Sequence, residues 1–210
     1  MAVMSPEEIA EHLIRLPSSL VADARAGRGV LAPGLHRFGG KGIAAGRAIT
    51  ATCAEGSLQA VFAALERAQA GDFLVVRAPG HSAYLGEVLA THLSNLGLAG
   101  VIIDGFVRDR EALLEMGLPV FAIGLYPHNQ RRREAGMPMN KLIVNGVEIT
   151  PGDWIIADDD GIVVVPPSDV ARDIAECETN LRLEERVLQL VRQKRTPPEA
   201  VRQAMEEQAK

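Results

Sequence analysis

Between residues 57 and 125 the chain repeats one pattern three times: apolar positions at helical spacing, then a short run rich in Val, Ile and Leu. "SLQAVFAALERAQAG" leads to "FLVVR", "GEVLATHLSNLG" to "AGVIIDG", and "REALLEMG" to "PVFAIGL". Helical periodicity alternating with short β-branched runs predicts βα units whose parallel strands are buried on both faces. Ahead of them, "IAAGRAITATC" (residues 43–53) predicts an extended strand of small residues, and residues 27–42, rich in Gly and Pro, a long irregular loop. At the start, Ser5, Pro6 and Glu8 supply a cap, a first-turn proline and a capping-box partner for a short helix. A second helix is expected through "SSLVADARA", stopping near Gly27.

The pattern changes after Pro127. In "KLIVNGVEI", Asn145 and Gly146 stand between two apolar runs, a strong hairpin signal. "GDWIIADDDGIVVVP" predicts a second hairpin turning at residues 158–161, with which "AGRAITATC" can pair. From Ser168 the chain reads as helix, with Val170, Ile174, Cys177, Leu181, Leu188 and Val191 forming one stripe, until "TPPEA" breaks it before a short terminal helix. The expected organisation is an α/β domain over residues 1–166 and a helical arm over residues 167–210. The first contains parallel βα units and an antiparallel hairpin unit.

Composition narrows the class. Of 210 residues, 47% are apolar and only 4% aromatic, which favours α/β packing over an aromatic-rich sandwich. A formal charge of −5 argues against a nucleic-acid surface, which needs clustered Lys and Arg. Cys53 and Cys177 show neither metal-ligand spacing nor a CxxC pair, so free thiols in a reducing compartment are expected. With no signal peptide and no membrane-spanning apolar run, the expectation is a soluble, cytoplasmic protein.

Two segments carry candidate chemistry. Gly86 and Glu87 open a helix after the loop "APGHSAY"; a helix N-terminus offers unpaired N–H groups to a carboxylate or phosphate. The competing reading is that Glu87 only stabilises its own helix start. In "VIIDGFVRD", Arg108 and Asp109 lie just past the carboxyl end of a parallel strand, where open α/β sheets place ligands. Here the plain alternative is a helix cap beside a surface charge. Both segments follow strands of one sheet, so Glu87, Arg108 and Asp109 should converge at one rim. Two carboxylates and a guanidinium there suit a hard divalent cation and an anionic substrate.

The pattern Gly86-Glu87, twenty residues (88–107), then Arg108-Asp109, followed by "GDWIIADDDGIVVVP", resembles the class II pyruvate aldolases. These are typified by 4-hydroxy-4-methyl-2-oxoglutarate aldolase, and the same family includes the regulators of ribonuclease E activity. The resemblance runs from about residue 16 to 166. It implies a swivelling β/β/α fold and a homotrimer or homohexamer (a dimer of trimers) with sites near subunit interfaces. It further implies that Asp109 binds Mg²⁺ or Mn²⁺, that Glu87 holds metal-bound water, and that Arg108 contacts the 2-keto oxygen. The backbone N–H groups of Gly86, Glu87, Val88 and Leu89 would hold the carboxylate of a 2-oxo acid. The implied activity is metal-dependent cleavage of a 4-hydroxy-2-oxo acid to pyruvate, with oxaloacetate decarboxylation beside it. A non-catalytic regulator is the alternative.

Such chemistry needs no Schiff-base lysine, and none of Lys41, Lys141, Lys194 and Lys210 lies in an evident apolar strand core. Two stretches depart from the family's usual text. "VVRAPGHSAYLGE" puts Arg77 and His81 near the expected pocket, with His81 either an acid/base group or an ordinary loop histidine. "YPHNQRRREAGMPMN" reads as an insert-like loop whose Arg131, Arg132 and Arg133 are either a solvated face or a grip on a distal carboxylate. His92 is expected to pack, and Asp104 to shape the turn at a strand end. The "DDDG" run is expected to be a hairpin turn rather than a calcium loop.

Overall fold

The computed structural model describes residues 4–208. In chain order the helices are α1 (Pro6–Leu13), α2 (Ser18–Ala24), α3 (Gln59–Leu65), α4 (Glu87–Asn95), α5 (Arg110–Met116), α6 (Val170–Arg192) and α7 (Pro197–Gln208). The strands are β1 (His36–Gly39), β2 (Ala44–Thr52), β3 (Asp72–Arg77), β4 (Ala83–Leu85), β5 (Gly100–Val107), β6 (Val120–Leu125), β7 (Met137–Pro138), β8 (Leu142–Val144), β9 (Val147–Ile149), β10 (Trp154–Ala157) and β11 (Ile162–Val165).

Nine strands form one sheet in the order β1-β6-β5-β3-β2-β10-β11, with β4 beside β5 and β7 beside β2. β2, β3, β5 and β6 run parallel, as the βα pattern predicts. β10 joins β2 antiparallel and pairs with β11 as the second hairpin. The first hairpin, β8 and β9, turns at Asn145 (φ 44°) and Gly146 (φ 83°), the two positive-φ positions such a turn requires.

β2 is the seam of the sheet. Its side chains alternate: Ala44 and Ala48 enter a core with Phe73, Val75, Ile102 and Ile155, closed by Leu142, Val144 and Ile149 of the small hairpin. On the opposite face, Ile49 and Ala51 pack with residues of α3, α4 and α5. Ala45, nearer the strand start, belongs instead to the layer of Leu13, Leu20, Val21, Trp154 and Ile174 from α1, α2, β10 and α6. One face of the sheet thus carries two groups of helices, one behind the parallel half and one behind the antiparallel half.

The structure corrects several sequence expectations. The loop over residues 27–42 contains β1, which pairs antiparallel with β6; its glycines hid a four-residue strand. "APGHSAY" is not wholly loop, because Ala83 and Tyr84 begin β4, parallel to β5. On α6, Val170, Ile174 and Cys177 are buried, but Leu188 is exposed. Beyond the first half of α6 the packing partner changes from the sheet layer to α7. Leu190, with Leu183, Val187 and Val191, therefore turns towards Ala200 and Ala204 instead.

Two polar anchors tie the helices down. Arg25, at the end of α2, is buried and hydrogen-bonded to the buried carboxylate of Asp173 on α6, which also accepts from Arg172 at 2.8 Å. Asp158, in the "DDDG" turn, accepts from the backbone N–H (2.7 Å) and hydroxyl (2.5 Å) of Ser18. It therefore caps α2 from 140 residues away and also accepts from the N–H groups of Asp160 and Gly161. The turn reading of this run holds. Burial works against the charge on Asp158, but the Ser18, Asp160 and Gly161 donors outweigh it and hold its carboxyl below the usual range.

A carboxyl depressed on folding adds stability above its unfolded pKa and loses it as pH falls through the folded value. Asp158→Asn should therefore lower stability at neutral pH and flatten the acid limb of the stability curve below about pH 4. Denaturant titrations at several pH values check this; parallel pH profiles for the two proteins would contradict it.

Candidate active site

The site begins with a glycine. Gly86 has extended backbone (φ −149°, ψ −173°), which any residue adopts, so its requirement is space. A Cβ there would stand 2.4 Å from Asp109 Oδ2, 3.0 Å from Arg108 Cγ and 3.1 Å from Arg108 Nε. The end of β5 is thereby laid directly on the backbone that opens α4. β4 holds the two together, with Leu85 paired to Val107 and the Arg108 N–H donating to the Leu85 carbonyl at 2.9 Å.

Asp109 is the N-cap of α5 by position, but its side chain makes no capping bond there. Its backbone is left-handed (φ 58°, ψ 44°), an unfavourable conformation for a residue with a Cβ, and this turns the carboxylate across to α4. Oδ2 accepts the N–H of Glu87 at 3.0 Å and lies 3.6 Å from Arg108 Nε. The helix-cap alternative for Asp109 is therefore true of the neighbouring helix rather than its own. The first helical bond of α4 runs from Ala90 N–H to the Gly86 carbonyl at 3.0 Å. The N–H groups of Val88 and Leu89 precede it without an intrahelical acceptor.

Glu87, Arg108 and Asp109 thus meet at one rim, as their spacing in the sequence predicts. The Glu87 side chain is exposed, while those of Arg108 and Asp109 are 34% and 41% exposed, open enough to meet a ligand and close enough to shape one another. Beside them is a cavity of about 310 Å³ whose wall includes Arg108, Gly86, Leu58, Phe62, Tyr84 and Asn129. Val88, Leu89 and His92 of α4 also face it. The Tyr84 hydroxyl donates to the Pro79 carbonyl at 2.6 Å and accepts the Gly56 N–H at 2.7 Å, which fixes this wall. Burial raises the Tyr84 pKa, so it remains a neutral phenol.

Other candidates are placed differently. His92 does not pack; it is exposed on α4 and borders the cavity. Asp104 is no turn residue, because β5 continues through it and pairs it with Arg77 of β3. Burial raises its pKa against the opposing charge of Arg77. Arg77 and His81 do not line the Arg108 cavity; the His81 ring stacks on Phe106, centroids 6.0 Å apart. The residues missed by sequence reading, Leu58, Phe62, Tyr84 and Asn129, carry no local signal; only the fold brings them to Arg108. Lys41, Lys141 and Lys194 are exposed, so none is an amine held in an apolar pocket, and Lys210 lies outside the described residues. Cys53 and Cys177 are free and buried, and burial pushes their thiols to about 12 and about 11. No helix among the described residues is long and apolar enough to cross a membrane.

Known proteins share the sequence pattern and the fold of this chain. Residues 18–164 match the family model described as "RraA-like: Aldolase/RraA", and the chain belongs to that family. A Burkholderia mallei (strain SAVP1) protein named "Putative 4-hydroxy-4-methyl-2-oxoglutarate aldolase" is 38% identical over 137 residues, covering 64% of this chain and 82% of that one. Among solved structures, Streptomyces coelicolor RraAS2, described as an unusual member of the RNase ES inhibitor RraA protein family, superposes with a TM-score of 0.75. It is 28% identical over 88% of this chain and 98% of its own. An uncharacterized protein from Pseudomonas syringae pv. tomato shares the fold over 95% of this chain and 97% of its own, at a TM-score of 0.82 and 19% identity.

The Gly86 contact gives a direct test. Gly86→Ala should cost about 1–3 kcal/mol in the wild-type background, as overpacking does. It should cost clearly less in an Asp109→Ala background, where the nearest atom is gone. Equal costs in both backgrounds, measured by denaturant unfolding, would show that the two residues do not press on each other.

Proposed function

We propose that this chain is a divalent-metal-dependent lyase that releases pyruvate from a 4-hydroxy-2-oxo acid resembling 4-hydroxy-4-methyl-2-oxoglutarate. The same site would decarboxylate oxaloacetate. The observation that carries this reading is the meeting of Arg108 and Asp109 with the open N-terminus of α4 across Gly86. The aldolase name of the Burkholderia mallei relative supports it.

The residues fit a hydrated hard cation. Asp109 commits Oδ2 to Glu87 N–H, and among the described residues Oδ1 has no hydrogen-bond or ion-pair partner. Among the described residues no three His, Cys, Asp or Glu side chains gather around one point. Asp109 would therefore hold Mg²⁺ or Mn²⁺ with water completing the shell, an arrangement Mg²⁺ favours. When bound, the cation supplies Lewis-acid stabilisation of charge on the 2-oxo acid oxygens.

The chain's own groups do the rest. The N–H groups of Val88 and Leu89 receive the 2-oxo acid's carboxylate; Glu87 N–H, expected to share this task, is taken by Asp109. The Arg108 guanidinium donates to the 2-keto oxygen and stabilises the negative charge that grows there as the C3–C4 bond breaks. The exposed Glu87 carboxylate positions the water that takes the proton from the 4-hydroxyl as the C3–C4 bond breaks and returns it to C3 of the enolate, which leaves as pyruvate. Gly86 keeps these groups in contact. We extend the proposal to a homotrimeric or homohexameric, cytoplasmic enzyme.

The Streptomyces coelicolor likeness favours a second reading, a non-catalytic regulator. One experiment separates them. Pyruvate release from oxaloacetate and from 4-hydroxy-4-methyl-2-oxoglutarate should require Mg²⁺ or Mn²⁺ and stop with chelator. Arg108→Ala should lower kcat/KM by about 10²–10³-fold, as for loss of a donor to developing charge. Asp109→Asn, which keeps an oxygen for Glu87 N–H, should lose activity without losing fold. No pyruvate from either substrate with any divalent metal would leave the regulator reading.

A further inference from the structure

The loop after β6 carries Arg131, Arg132 and Arg133, all exposed, and among the described residues none of them makes an ion pair. In a chain with a net charge of −5, three successive guanidinium groups without a carboxylate partner stand out. Unpaired cations on a wholly mobile loop would be unremarkable, but this loop is anchored along its length. His128 accepts the Ala83 N–H at 2.8 Å through its carbonyl, and Gln130 N–H donates to the Ser82 hydroxyl at 3.2 Å. Gln130 Nε2 donates to Glu55 (3.3 Å) and to the His81 carbonyl (3.2 Å). Arg132 N–H donates to the Gly56 carbonyl at 2.9 Å, and the Ser57 hydroxyl donates to the Glu134 carbonyl at 2.7 Å. The arginines are thus presented from a fixed backbone.

They border a cavity next to the site. Arg131, Arg132 and Arg133 line a second cavity, of about 340 Å³. Leu58, Phe62 and Asn129 wall both this cavity and the one that holds Arg108. The two cavities are therefore neighbours across Leu58, Phe62 and Asn129, with Arg108 lining one and the arginine loop the other. Burial and the Gly56 hydrogen bond dominate the Tyr84 phenol, but the positive charge of Arg132 also reaches it, and Tyr84 lies in the wall beside Arg108.

We infer that Arg132, assisted by Arg131 and Arg133, is a second anion subsite that binds the distal carboxylate of a 2-oxo dicarboxylic acid whose 2-oxo end lies at Arg108. This rests on the proposed reading of Arg108 and adds what that reading lacks, a determinant of the substrate's far half. Leu58 and Phe62 line the methylene or methyl groups between the two ends. Guanidinium groups suit the role because they pair with a carboxylate through two parallel N–H donors and stay charged at every working pH.

Binding measurements without turnover test the inference separately from the lyase reading. 2-Oxoglutarate and 2-oxopentanoate differ at the distal end, carboxylate against methyl, and neither carries the 4-hydroxyl that retro-aldol cleavage needs. By calorimetry with Mg²⁺ present, the wild-type protein should bind 2-oxoglutarate at least about tenfold more tightly, the scale of one charge-assisted pair in a partly exposed site. Arg132→Gln should remove most of that preference, and Arg132→Gln/Arg133→Gln all of it, with 2-oxopentanoate affinity unchanged. Neither variant loses an ion pair among the described residues, and unchanged melting temperatures would show that the fold is intact. A wild-type protein that binds both acids equally, or neither, overturns the inference, as does a preference that survives in the double variant. An arginine-dependent preference without pyruvate release in the activity assay would instead retain the subsite and overturn the lyase reading.

Discussion

The candidate site depends on one contact: the Asp109 carboxylate seated on the opening turn of α4, against a glycine that has no Cβ to push it away. A helix start leaves N–H groups unpaired and favours negative charge. Asp109 satisfies one of these groups and stays half in solvent. This single placement brings together a carboxylate, a guanidinium and two further N–H donors. It also explains the left-handed backbone at Asp109. A residue held in a sparsely populated conformation by its surroundings is common where chemistry is done, and here the conformation directs the side chain across to α4.

The rest of the fold supplies rigidity to that contact. β5 is buried at Val101, Ile102 and Ile103, so the strand that presents Arg108 and Asp109 has little freedom to shift. β4, only three residues long, holds Leu85 beside Val107 and sets the distance between the two halves of the site. The helical layer of α1, α2 and α6 lies behind the antiparallel half of the sheet, with its own core. The same device recurs there, with Asp158 capping α2 from a distant turn as Asp109 caps α4. In both places a carboxylate remote in sequence completes a helix start, linking secondary structure to tertiary structure through one hydrogen-bonded group.

Much of this was legible in the sequence, for identifiable reasons. The parallel βα order, both hairpins and the pairing of β2 with β10 followed from periodicity and from Asn145-Gly146. The convergence of Glu87, Arg108 and Asp109 followed from placing each just past a strand of one sheet. β1 was hidden because its strand is short and flanked by glycines, and β4 because three residues give no period to read. Asp104 was misplaced because Gly105 looks like a turn, whereas it allows the β5 backbone to approach Ala78. The cavity wall of Leu58, Phe62, Tyr84 and Asn129 was not legible at all. These residues come from three separate segments, and nothing local distinguishes Phe62 from an ordinary apolar residue of a helix.

The role proposed for Asp109 and its neighbours is to bind a divalent cation together with a 2-oxo acid. Titration of the purified protein with Mn²⁺, followed by electron paramagnetic resonance of the free ion, measures it most directly. One Mn²⁺ site per chain is expected, tightened several-fold by pyruvate and abolished in Asp109→Asn. Mn²⁺ binding that is indifferent to both pyruvate and the loss of the Asp109 charge would contradict it.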